Sequence, residues 1–378
     1  MTRMFNLYWG AVFIIVPLYL RAGQVPSTRF CKDVLFILLT ILSAVLFDFK
    51  RQFPPTAKLV LGVFLLACFF NGDFTSNGYL RHLGLIMAFS LFAVQFYSNS
   101  ENLDFYLNAL LISASIQSLL GIVNYLGYDA YKLFFEVFPT EMTYKVRYRP
   151  IGGVGTLGNQ GGYGAFVALC LPTCFRKKYW ILLPLLILGV VLSKAEAAYV
   201  ASLFGVIYYL ISLKNFKIAK ILTYCGTVFL SISCIAIPLY FPVSRIGSDR
   251  LIIWAKAMNY YAYEFSWKLF LFGYGTGHVY NNQVPYPVAD GTRYASELHN
   301  EFLELLISHG VIGYIGFFYF LWKFFPQSRA LSSIVVICLV NSFFHFTLHY
   351  STTILPVAVA LFLYQQKNLK TDQGVTYA

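Results

Sequence analysis

The feature of this sequence that most restricts its fold is the recurrence of apolar runs along the whole chain. Each run is about 15 to 25 residues long, the length a helix needs to cross a bilayer. Hydrophobic residues make up 58% of the 378 residues and charged residues 12%, too few charges for a soluble protein of this size. The runs lack the alternation of barrel strands. The sequence therefore predicts an all-α fold, a polytopic transmembrane bundle forming a single integral membrane domain over residues 1–378.

The lengths of the runs predict about twelve spans. They lie near 6–20, 34–48, 57–71, 80–98, 103–126, 160–175, 179–193, 196–212, 219–241, 301–322, 330–347 and 352–366. With both termini inside, most basic loops fall on the cytoplasmic side, among them FRKK (175–178) and LKNFKIAK (213–220). The loop at 21–32 disagrees. This placement explains the net charge of +12 without nucleic acid as a partner.

Two longer segments, 127–159 and 242–300, then lie outside, and the second is the large extracytoplasmic loop. Within it, Leu251, Trp254, Ala255 and Met258 recur at helical spacing and predict an amphipathic helix on the membrane surface. The seven cysteines lie mostly in or beside apolar runs and are interpreted as small packing residues, so no metal site is expected from them.

An anion-binding loop is one interpretation of residues 145–162. Arg147 and Arg149 precede a glycine-rich run in which Asn159 stands just before a predicted helix. Guanidinium groups bind phosphate in bidentate fashion, glycines let backbone N–H groups approach an anion, and a helix N-terminus favours negative charge. A flexible loop with glycines used for helix packing is the alternative.

Arg250 is the candidate anion ligand of the large loop. It lies in the first turn of the amphipathic helix, where a cation is unfavourable unless an anion shares the site. Pairing with Asp249 or snorkelling to lipid phosphates remains the alternative. In the turn between the seventh and eighth spans, Lys194 and Glu196 lie at the membrane edge, where a mutual pair or simple exposure competes with a direct role.

The stretch from 293 to 313 carries the candidate base. His299 and Asn300 precede a long apolar helix, and an imidazole suits general base work near neutral pH. A hydrogen-bonded interfacial histidine is the alternative. His345 and His349 stand four residues apart near the outer end of the eleventh span and could line the same site, whereas a zinc site lacks a third ligand. Close helix packing suffices for the stripe of Gly310, Gly313 and Gly316.

The order of these motifs resembles the O-antigen ligase and O-antigen polymerase superfamily of bacterial envelope glycosyltransferases. The motifs are RPIGGVGTLGNQ from Arg149, SDRLIIW with Arg250 and Trp254, FGYGTG, and HNEFLELLISHGVIG with His299 and Asn300. The last is the most specific. One departure is Glu196, which stands where the family often has an arginine, unless Lys194 serves instead.

The resemblance implies a GT-C-like, metal-independent, inverting glycosyltransferase of the inner membrane that needs no cofactor. Its site would face the periplasm, and its donor would be a glycan on undecaprenyl pyrophosphate. The acceptor would be lipid A–core for a ligase, or another lipid-linked glycan for a polymerase. Arg250, with Arg149 and Arg147, would bind the pyrophosphate of the donor, and Asn159 and Lys194 would be further substrate-binding residues. His299 would deprotonate or orient the acceptor hydroxyl, with Asn300 and His345 beside it.

A transporter or flippase without catalysis is the competing function. A coupled transporter would place ionisable residues near the bilayer midplane, whereas the predicted spans carry few and the charges cluster at the rim. The distribution of charge therefore favours an interfacial enzyme.

Overall fold

Apolar runs fold into helices wherever the structure describes them. The computed structural model describes residues 2–18, 25–47, 58, 61–62, 65, 77–99, 102–126, 157, 160–240, 249–263, 266–276, 278–279, 284–288, 291–295, 298–345 and 351–363. The main helices are α1 (Thr2–Leu18), α2 (Val25–Leu46), α3 (Asn77–Asn99), α4 (Leu103–Tyr125), α5 (Gln160–Cys170), α6 (Leu183–Ser193), α7 (Glu196–Lys214), α8 (Phe216–Tyr240), α9 (Asp249–Tyr263), α10 (Trp267–Phe272), α11 (Glu301–Lys323), α12 (Arg329–Phe344) and α13 (Ser351–Ala358).

Each predicted span except 57–71 coincides with a helix, and 57–71 lies mostly outside the described residues. Within the described chain, four helices are long and apolar enough to cross a bilayer, namely α4, α7, α8 and α11. Shorter apolar helices account for other predicted spans, and the span at 160–175 ends in a 3₁₀ segment, Leu171–Phe175. The helical membrane architecture is thus supported, whereas the number of crossings is not fixed by helix length.

A β-hairpin corrects the all-α prediction. Strand β1 (Val284–Val288) pairs antiparallel with β2 (Gly291–Ala295), with Val284 opposite Ala295. Sequence reasoning missed β1 because VPYPV contains two prolines, which cannot donate to a ladder. A two-stranded ribbon tolerates them, because each strand has an edge whose N–H groups need no partner strand.

Glycines bring the central helices close together. A Cβ on Gly121 of α4 would overlap the Tyr163 ring of α5, and one on Gly164 of α5 would meet Ala195 and Ala198 at the start of α7 at 3.0 Å. Close approach of this kind is typical of helix pairs in membranes, where small residues replace the hydrophobic effect as the source of tight packing.

One end of the bundle carries a basic loop that the topology assigns to the cytoplasmic side. At one end, Arg176, from the basic FRKK loop, forms an ion pair of 2.9 Å with Asp104 at the start of α4. It also donates to the side chain of Asn108 at 3.2 Å. The start of α4 and the end of α5 thus share one end, as expected if both face the cytoplasm.

The α11 helix breaks at Gly310, and the break corrects the predicted glycine stripe. Gly310 has φ 63° and ψ −172°, a conformation that essentially only glycine adopts. Tyr274 N donates to Ile307 O at 2.9 Å, and Gly275 N donates to Ser308 O at 2.9 Å. Gly310 therefore lets the backbone after α10 dock onto the backbone of α11, and does not serve as part of a smooth packing face.

The amphipathic helix α9 is present, but its buried face differs from the predicted one. Ile253, Trp254 and Ala257 are the residues that pack into the protein core, and Leu251 and Met258 only flank it. The helix therefore packs its apolar face on the rest of the protein, where the sequence predicted a membrane surface.

Replacing Gly310 by Ala is expected to destabilise the protein by about 3 kcal/mol, because the residue needs a glycine-only conformation. In addition, the new Cβ would overlap the Leu271 carbonyl. Thermal unfolding in detergent measures the loss. Gly316→Ala, in the same helix and with no heavy atom within 4 Å of the added Cβ, is the matched control. Equal melting temperatures for the two variants would contradict the assigned backbone conformation.

Candidate functional site

The segment before α11 has an unusual backbone. His299 has a φ of 55°, one of two positive φ values found for non-glycine residues in the described chain. Asn300 follows as the N-cap of α11, and its Oδ1 accepts a hydrogen bond from Leu303 N at 3.0 Å. Asn300 is fully buried, and its Nδ2 has no hydrogen-bond partner among the described residues. The turn thus presents an imidazole beside a buried amide donor.

The Leu298 peptide preceding the histidine is held from both sides. Trp254 Nε1, on α9, donates to Leu298 O at 2.7 Å. Leu298 N donates to Glu304 Oε2, on α11, at 3.2 Å. Leu298, Trp254 and Glu304 are all buried. These bonds join the large loop to the first turn of α11 at the point where His299 projects.

The His345 ring lies beside the His299 ring. The ring centroids are 6.0 Å apart and the rings are nearly perpendicular, at 84°. Helix α12 ends at Phe344, and His345 itself is extended at the C-cap. The helical spacing expected from His345 to His349 does not apply at His345, which lies beyond the end of α12, and His349 lies outside the described residues. His345 instead faces the loop that carries His299.

The start of α5 reaches the same place. A Cβ on Gly161 would overlap the His345 imidazole, so that the backbone of the first turn of α5 lies directly against this ring. Of the glycine-rich motif, the structure describes Leu157 and the residues from Gln160 onward. The candidate ligands Arg147, Arg149 and Asn159 lie outside the described residues.

Arg250 approaches the pair of histidines from α9. Its Nη1 donates to Phe344 O, the carbonyl preceding His345, at 2.7 Å. Burial lowers the pKa of Arg250, and the negative charge of the nearby Glu196 opposes that shift. Arginine stays protonated in proteins, so a partly buried cation lies next to the histidine segment. The predicted pairing with Asp249 involves a side chain outside the described set.

Lys194 occupies the turn between α6 and α7. It is exposed, has a φ of 52° and forms the C-cap of α6. Its ammonium group lies 5.5 Å from the centre of the Tyr125 ring, a cation–π arrangement. Glu196, two residues further on, lies close enough to Arg250 for its carboxylate to oppose the lowering of the Arg250 pKa.

Sequence reasoning missed Glu304 and two further buried polar residues of α11. Glu301 and His309 are both buried and line a cavity of about 160 Å³ whose other described walls are almost entirely apolar. Glu304 had one usable signal, its position four residues after the N-cap, from which a side chain can reach back over the helix start. No group of three or more His, Cys, Asp or Glu suited to a metal ion occurs in the described part of the chain.

Comparison with known proteins gives one match. Residues 181–318 match the family model described as O-antigen ligase. The matched segment contains Lys194, Arg250, His299 and Asn300, and it covers less than half of the chain. No curated protein matches the sequence. The match confirms the resemblance to the O-antigen ligase and polymerase superfamily.

Gly161→Ala is expected to destabilise the protein because its Cβ would overlap the His345 ring. Removing that ring with His345→Ala should relieve the clash, so the double variant should be more stable than the sum of the single effects by about 1–2 kcal/mol. Thermal unfolding of the four proteins in detergent gives this coupling. Gly226→Ala, which would meet nothing within 4 Å, replaces Gly161→Ala in a control cycle and should show no coupling. Strict additivity in the Gly161 cycle would contradict the contact.

Proposed function

We propose that this chain, a member of the O-antigen ligase and polymerase superfamily through residues 181–318, transfers a glycan from undecaprenyl pyrophosphate to an acceptor sugar hydroxyl at the periplasmic face of the inner membrane. The observation that carries the proposal is the meeting of His299, His345 and Arg250 at one end of the bundle. An acid–base group and a cation are the two functions that the transfer requires. Partners are the lipid-linked donor, the acceptor glycan and membrane lipids.

His299 acts on the acceptor. Its imidazole takes the proton of the acceptor hydroxyl as the oxygen attacks the anomeric carbon, and the bond from that carbon to the pyrophosphate oxygen breaks with its electron pair. Attack from the face opposite the leaving group inverts the anomeric centre. Asn300 Nδ2 supplies a hydrogen-bond donor beside the imidazole. His345 lines the other side of the same space.

Arg250 acts on the leaving group. A pyrophosphate gains negative charge as the glycosidic bond breaks, and a preorganised guanidinium stabilises that charge without a metal ion. The bond from Nη1 to Phe344 O fixes the orientation of the guanidinium at this position. On the basis of the sequence, Arg147 and Arg149 remain proposed ligands of the pyrophosphate, and Asn159 and Lys194 remain proposed substrate-binding residues.

Transport without chemistry is the second candidate, and the buried pair in α11 is the observation that favours it. Ionisable residues inside a membrane helix are costly and commonly mark a pathway. Glu301 and His309 lie in α11 and line an apolar cavity. A transporter would depend on these two residues, whereas a transferase would depend on His299.

His299→Ala is expected to lower the transfer rate by about 10²–10⁴-fold, the usual contribution of a positioned base. The purified enzyme is assayed with a lipid-linked donor and acceptor, and the same variant is tested in a strain that lacks the native copy. Accumulated single repeats would indicate a polymerase, and accumulated long chains a ligase. His278→Ala, a histidine whose ring contacts Tyr274, is the control and should stay active. Wild-type glycan from the His299 variant would refute the base assignment.

Arg250→Lys should raise the KM for the donor about 10-fold and lower kcat, because lysine keeps the charge but lacks the planar fork that binds phosphate oxygens in pairs. Steady-state kinetics with varied donor concentration measure both constants. Arg329→Lys, an exposed arginine at the start of α12, is the matched control. An unchanged KM for the donor in Arg250→Lys would remove this residue from the pyrophosphate site.

A further inference from the structure

We propose that Glu304 and Trp254 are positioning residues that hold the Leu298–His299 backbone, and thereby place the His299 imidazole opposite His345. The inference rests on the proposed function, because it explains how the base of that reaction is oriented. Neither side chain needs to touch the substrate. Both act through the peptide that precedes the base.

The backbone at His299 needs external support. A positive φ in a residue other than glycine is strained and persists only where the surroundings over-determine it. At His299 the φ is 55°. The cap at Asn300 fixes the residue after the histidine, and the bonds from Trp254 and to Glu304 fix the residue before it. The left-handed turn is thus restrained on both sides.

The bond to Glu304 differs from ordinary capping. In a capping box, the acidic side chain in the first turn returns to the N–H of the N-cap residue. Glu304 instead reaches the N–H of Leu298, two residues before the N-cap Asn300, while its own N–H donates to Asn300 O at 3.0 Å. A carboxylate that only capped the helix would accept hydrogen bonds from the helix's own N–H groups. The Glu304 carboxylate instead accepts from the residue on the far side of His299, so the bond bridges the histidine.

The bond from Trp254 ties the same peptide to α9. Trp254 is 2% exposed and its ring also lies edge-on to Phe343, with centroids 5.6 Å apart. Its Nε1–H bond to Leu298 O is short, at 2.7 Å, and losing it would leave a buried carbonyl without this hydrogen bond. One side chain therefore touches both histidine-bearing segments, Leu298 before His299 and Phe343 before His345.

Three substitutions separate positioning from general stability. Glu304→Gln keeps an accepting oxygen, Glu304→Leu removes it at similar size, and Trp254→Phe keeps a ring but removes the N–H donor. Trp9→Phe is the matched control, because Trp9 is fully buried and its Nε1 donates to Ser43 Oγ at 3.1 Å in another part of the bundle. Each purified variant is measured for kcat, for the KM of the donor and for its melting temperature.

Glu304→Leu and Trp254→Phe should lower kcat by about 10–100-fold with the KM of the donor changed less than about 3-fold, because a small misplacement of a catalytic group has effects of this size. Glu304→Gln should stay within about 5-fold of wild type, and Trp9→Phe should keep the full rate even if it melts earlier. In a His299→Ala background, adding Glu304→Leu should change the rate less than about 2-fold, because a group that acts through His299 has nothing left to position.

Equal losses of kcat in Glu304→Gln and Glu304→Leu would overturn the inference. A further loss of rate on adding Glu304→Leu to His299→Ala would also overturn it. Failure of the proposed function shows differently, as a wild-type enzyme that forms no product. Hydrogen exchange of the peptide containing Leu298 then decides the positioning role by itself. Protection of its amide should survive in Glu304→Gln and fall in Glu304→Leu, and equal protection in both variants would overturn the inference.

Discussion

The left-handed backbone at His299 is the constraint on which the site depends. A β-region φ at this position would turn the chain before α11 another way and separate the imidazole from His345, 6.0 Å away between ring centroids. Glycine would adopt the turn without strain, but glycine has no imidazole. The protein therefore stabilises the turn with buried hydrogen bonds to the residues on both sides. Strain of this kind typically marks residues whose placement matters for function.

Helix α9 links the two histidine segments, which gives the SDRLIIW motif a structural meaning. Arg250 and Trp254 lie one helical turn apart, so both side chains leave the same face. Arg250 donates to the carbonyl preceding His345, and Trp254 donates to the carbonyl preceding His299. The four-residue spacing thus sets the distance between two loops that belong to distant parts of the chain. A surface helix could not do this, which is why the burial of Ile253 and Ala257 matters.

The sequence predicts what is local and misses what depends on contacts between distant segments. Helix positions follow from the length and spacing of apolar runs, and His299, Asn300 and Arg250 follow from residue chemistry at helix starts. The hairpin at 284–295 was not predicted, because its prolines disfavour a strand. The positive φ of Gly310 was not predicted, because a GxxG spacing is explained by close helix packing as well as by a break in the helix. The bond from Arg250 to Phe344 joins residues 94 positions apart, and no local pattern encodes it.

The charge around Arg250 bears on how the donor is held. Burial disfavours the cation, and the carboxylate of Glu196 compensates for part of that penalty while offsetting part of the positive charge offered to an anion. A pyrophosphate carries more negative charge than one guanidinium can balance. A neighbouring carboxylate such as Glu196 further reduces the positive charge that Arg250 offers to it. The proposed donor site therefore requires further cations. Arg147 and Arg149, in the glycine-rich segment before α5, are the cations proposed from the sequence for this role. On this reasoning, Glu196 makes the proposed enzyme more dependent on the arginines before α5 than a relative with an arginine at that turn would be.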